Sequence, residues 1–208
     1  MTELTTIEII FAGCLFGLTA GISPGPLLTL VLTETIKHNR AAGIKIAVSP
    51  LIADLPIILL TYFLFSLFTD QKQMLSIISV AGGMYLAYLG YHTLRTKGFE
   101  LGERIESPGS LFKGIIANFL NPHPFLFWAT IGIPYIYKAR EINLLAIILF
   151  LLFFYVFLIG SKILIAILAA RSKSLLKKDI FIWILRFLGL TLIVFSLIFL
   201  YEGISYII

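Results

Sequence analysis

Residues 143–170 hold a single charged side chain, Lys162, in an otherwise almost unbroken apolar run. That length exceeds the about 20 apolar residues needed to cross a bilayer as a helix. Five more runs lie at roughly residues 7–32, 43–68, 74–94, 111–137 and 180–201. Six such spans with short loops use nearly all of the 208 residues. The chain is therefore expected to be all-α, a polytopic membrane protein with six transmembrane helices in one domain and no separate soluble part. Its 59% hydrophobic content stands well above the about 45–50% of soluble domains.

Loop charge alternates. Of 16 lysines and arginines, Lys37, Arg40 and Lys45 follow the first run, Arg95, Lys97, Arg104 and Lys113 the third, and Arg171, Lys173, Lys177 and Lys178 the fifth. The opposite side carries Lys72, Lys138 and Arg140. The positive-inside rule then places both termini outside and the basic loops in the cytoplasm. These topology signals account for the net charge of +5, so no nucleic-acid partner is expected. Cys14 has no second thiol, which excludes dithiol electron transfer. The start carries Glu3 and Glu8 without a base, so the first run is expected to remain in the mature protein.

Residues 95–110, with Gly98, Gly102, Pro108 and Gly109, read as a solvated linker between two groups of three spans. Three crossings invert the second group, so an inverted repeat is geometrically allowed. The first run of each group is broken by prolines: Gly21-Ile22-Ser23-Pro24-Gly25-Pro26, and Asn121-Pro122-His123-Pro124. Pro24 lies about 17 residues into its run and Pro122 about 11, which counts against strict symmetry.

A proline cannot donate to the carbonyl four residues back. Pro24 and Pro26 free the carbonyls of Ala20 and Ile22, and Pro122 and Pro124 those of Asn118 and Leu120. Broken backbone at membrane depth is tolerated only against protein or a water-filled cavity, so a polar cavity near both breaks is the functional reading. A simple kink is the alternative. Asp54 sits about 11 residues, or about 16 Å, into the second run, near mid-bilayer. An acid there is costly and usually faces a pathway, making Asp54 a candidate proton carrier. Lys162, at an overlapping depth, could form an ion pair with it or snorkel to the cytoplasmic face. Arg186 reads as a snorkelling anchor.

Gly13, Gly17 and Gly21 recur every fourth residue and suit close helix packing, as do Gly83 and Gly90. The same faces would permit a homodimer. Tyr85, Tyr88 and His92 share a face that reads as core or interface. His38, His92 and His123 are scattered, without metal-ligand spacing, and no metal or other cofactor is expected. No phosphate-binding glycine loop is present. Energy for transport would come from a gradient.

These residues resemble the LysE/RhtB family of small amino-acid exporters. The resemblance runs through Gly21 to Pro26, Asp54, the segment Ala81-Gly82-Gly83-Met84-Tyr85-Leu86-Ala87-Tyr88-Leu89-Gly90, Lys113-Gly114, Asn118 to Pro122 and Arg186 to Gly189. It covers essentially the whole chain. The resemblance implies export of an amino acid or related small zwitterion by proton antiport across a prokaryotic plasma membrane. Its pathway would be formed by Pro24, Gly25, Pro26, Asp54, Asn118, Asn121 and Pro122, with proton coupling at Asp54. Lys162, His123 and Pro124 depart from the family's usual pattern and leave the substrate open. Competing readings are a metal-cation exporter of a related family, a membrane-embedded enzyme using Asp54 with His92 or His123, and a nontransporting partner subunit.

Overall fold

The computed structural model describes residues 5–67, 71–95, 109–173 and 178–205. Linker residues Gly98, Gly102 and Pro108 and the loop bases Lys97, Arg104 and Lys177 lie outside the described residues, as do the side chains of Lys72, Lys173 and Lys178. Among the described residues the chain is helical throughout, with no strand.

The first expected span is two helices, α1 (Thr6–Ile22) and α2 (Pro26–Lys37), bent by 59° at the break. The second is α3 (Arg40–Ala47) and α4 (Pro50–Leu67), and the third is α5 (Gln71–Leu94). The fourth is divided into α6 (Ser110–Phe119), α7 (Pro122–Phe127), a π-helical turn (Trp128–Gly132) and α8 (Ile133–Ile142). Two long helices close the chain, α9 (Leu144–Lys173) and α10 (Lys178–Ser205). Among the described residues, three stretches are long and apolar enough to cross a membrane, Arg40–Thr61 (α3 running into α4), Leu144–Ser172 and Ile182–Ser205, with a fourth if α1 and α2 are one span.

Helix starts follow local chemistry. Thr5 and Glu8 form a reciprocal capping box on α1. Asn39, Asn121 and Asn143 each accept a backbone N–H from the first turn of the helix that follows. Pro26 and Pro122 take first-turn positions, where the missing N–H removes no helical bond.

Two long helix pairs frame the bundle. α1 packs along α9, with Gly13 and Gly17 against the Phe150 and Phe154 carbonyls and Gly21 against Ser161 and Leu158. The glycine repeat thus joins helices within the chain. α5 packs along α10, where Gly83 admits Leu200 and Gly90 admits Ile193. Between these pairs lie the short helices, with Leu30, Val31, Ile46, Leu86, Ala117, Ala166 and Leu192 in a shared apolar core. Outward faces carry large apolar side chains, Phe11, Leu164, Phe187 and Val194 among them. Such a surface needs lipid rather than water around it.

The depths of the breaks explain the unequal spacing in the sequence. Ser110, at the start of α6, donates its hydroxyl to Glu34 near the end of α2 at 3.0 Å. Measured from that contact, residues 26–34 of α2 and 110–119 of α6 rise about 13 and 15 Å. The breaks at residues 23–25 and 120–121 are therefore nearly level.

Candidate functional site

Ser23 closes α1 by donating its N–H to Thr19 O at 3.0 Å. Pro24 has no N–H to offer Ala20, and Gly25 adopts extended backbone, with φ −171° and ψ 178°. The last carbonyls of α1 are thereby left open to other donors. Lys162, from α9, supplies them: its ammonium donates to Ala20 O at 3.0 Å and to Gly21 O at 2.9 Å. The lysine is 3% exposed. Sequence reasoning anticipated a free carbonyl at Ala20 but not its occupant.

Asp54 lies one turn into α4, 4% exposed. Its Oδ1 accepts from Asn118 Nδ2 of α6 at 2.7 Å, and its Oδ2 from the Tyr155 hydroxyl of α9 at 3.3 Å. The buried Trp128 side chain lines the same cavity as this carboxylate. Trp128 opens the π-helical turn, a local widening of the kind often found at functional sites. Gly132 makes room for it, since a Cβ there would collide with the indole ring. Asp54 and Lys162 interact electrostatically, yet each is held by its own hydrogen-bonding partners.

Both charges open onto one cavity of about 380 Å³ between the two breaks. Of the residues singled out in the sequence, Pro24, Gly25, Pro26, Asp54, Asn118 and Asn121 line it, together with Lys162, His123 and Pro124. Pro122 is buried at the start of α7 and is not part of the lining. His92 packs edge-on against Tyr88 at 4.5 Å on α5 and does not line the cavity. Arg186 is exposed beside the Trp183 ring, 5.6 Å from its centre.

The sequence reading did not identify Tyr155 and Trp128, which sit in apolar runs where an aromatic resembles any packing residue. A buried polar group around Glu34 was also missed. This carboxylate is 3% exposed and accepts from Ser110 at 3.0 Å and from the Lys113 ammonium at 3.0 Å, with His38 at 3.8 Å. It lies two residues past the expected end of the first span. Recognising that α2 continues to Lys37 would have exposed it.

Apolar outer faces surround interrupted helices and a buried polar cavity, features that membrane transporters share. The family model for the LysE type translocator matches residues 18–203, and the chain belongs to that family. No curated protein and no solved structure matches the chain.

Proposed function

We propose that the chain is a secondary transporter exporting an amino acid or related small zwitterion from the cytoplasm in exchange for protons. In this reading it is a single six-span domain in a prokaryotic plasma membrane, with both termini outside. The basic side chains at the ends of α2, α3 and α9 then face the cytoplasm.

One observation carries the proposal: a carboxylate and an ammonium share a cavity of about 380 Å³ where two helices break. That volume is roughly a dozen times a water molecule's share of about 30 Å³, so a small amino acid fits. Asp54 receives the substrate ammonium. The substrate carboxylate meets the remaining N–H of Lys162, whose other two protons are engaged by Ala20 and Gly21. The first turn of α2, at the cavity wall, adds the positive end of its dipole. Facing outward, Asp54 takes a proton and releases the ammonium; facing inward, it gives up the proton and accepts the next substrate. Proton and substrate thus compete for one carboxylate, which is the condition for antiport.

The proposal is tested by counterflow of radiolabelled amino acids and divalent cations in proteoliposomes, with and without an imposed pH gradient. Saturable amino-acid flux that responds to the gradient is expected. Cation flux would move the chain to the metal-exporter reading. Absence of any flux would refute export and favour the enzyme or partner-subunit reading.

A further inference from the structure

We infer that the Lys162 ammonium is a built-in cation, filling at the broken end of α1 a site that binds a small monovalent cation once the lysine is removed. Two consecutive carbonyls, Ala20 and Gly21, converge on one nitrogen at 3.0 and 2.9 Å. In a continuous helix each would point at an N–H four residues on. Here position 24 is a proline and position 25 has left the helix. The carbonyls of a half-helix C-terminus carry partial negative charge. In transporters with interrupted helices, such carbonyls coordinate the driving alkali cation.

The anchoring is tight. Gly21 lies against Ser161, the residue preceding Lys162, so closely that a Cβ there would collide with the Ser161 side chain. The α9 backbone is thus pressed against the break, and the lysine turns inward instead of snorkelling to the membrane surface. Asp54, which interacts with Lys162 through space, balances its charge. Replacing the lysine by a neutral side chain would leave two buried carbonyls and a nearby carboxylate facing vacated space, a combination that favours a cation. Oxygen-to-nitrogen distances of 2.9–3.0 Å suit ammonium or potassium in size better than sodium. With the lysine present, neither sodium nor potassium has a role at this break, and coupling is left to Asp54.

The inference concerns the same cavity as the export proposal, but its first readout is cation binding, which needs no substrate. Thermal midpoints of the purified full chain in detergent are compared at constant ionic strength in choline, sodium, potassium and ammonium chloride. The wild type is expected to melt alike in all four. Lys162→Met is expected to melt lower in choline and to be raised saturably by potassium or ammonium, by about 3–6 °C for each tenfold gained in stability. Lys162→Leu, which also removes the charge and offers the carbonyls no donor, is expected to respond in the same way and serves if the methionine variant does not fold. A folded neutral variant indifferent to all four salts would overturn the inference, as would a wild type whose midpoint depends specifically on sodium or potassium. Neither result bears on amino-acid flux, so the two proposals fail separately.

Discussion

Gly17 and Gly160 put the same substitution in two opposite settings on the α1–α9 pair. A Cβ at Gly17 would collide with the Phe154 carbonyl oxygen and lie 3.0 Å from the Phe154 carbonyl carbon and Cα. All three obstacles are backbone, so relief requires α1 and α9 to separate. Overpacking of this kind costs about 1–3 kcal/mol. With rigid obstacles the upper half of that range applies, and the helix propensity gained by Gly→Ala returns up to about 1 kcal/mol. Gly17→Ala should therefore lose about 1–2 kcal/mol, or about 2–8 °C in thermal midpoint for a chain of this size. A Cβ at Gly160 meets nothing within 4 Å, so Gly160→Ala should gain about 0.5–1 kcal/mol and about 1–4 °C. Both variants are measured by scanning fluorimetry in one detergent. Shifts of the same sign, or a Gly17→Ala midpoint unchanged from wild type, would refute the close-packed α1–α9 contact.

Glu34→Ala removes an acceptor shared by Ser110 and Lys113. Because Lys113 is a third exposed and can rehydrate, the expected loss is about 2 kcal/mol, with roughly half that for Glu34→Gln, read by thermal denaturation. Asn118→Ala deletes the 2.7 Å donor to Asp54 and should slow gradient-driven export about tenfold or more, while Tyr155 still holds the carboxylate. Initial rates in proteoliposomes check this second prediction.

The long helices were legible because lipid demands apolar runs of a minimum length, and α9 and α10 could be read almost to their ends. The breaks were legible because proline removes a backbone donor at a known position, and Asp54 because an acid within hydrocarbon is costly. Three features were not. The end of α2 was placed at Leu32, where the apolar run stops, although the helix continues to Lys37 and hides Glu34 against α6. The turn between α3 and α4 at residues 48–49, which leaves Arg40–Thr61 a single span, carries its signal in Pro50, which also lines the cavity and was not singled out in the sequence. The task of Lys162 depends on which helix its side chain meets. That meeting is set by Gly13, Gly17 and Gly21 drawing α1 onto α9, a tertiary contact no local pattern discloses.

The central claim is that proton and substrate share Asp54. It is tested most directly by measuring Asp54→Asn in proteoliposomes, comparing substrate exchange at equal pH on both sides with net export under an imposed pH gradient. The account predicts that exchange persists with weakened affinity while the gradient no longer accelerates export. Export by the variant that responds to the gradient as strongly as wild type would contradict it.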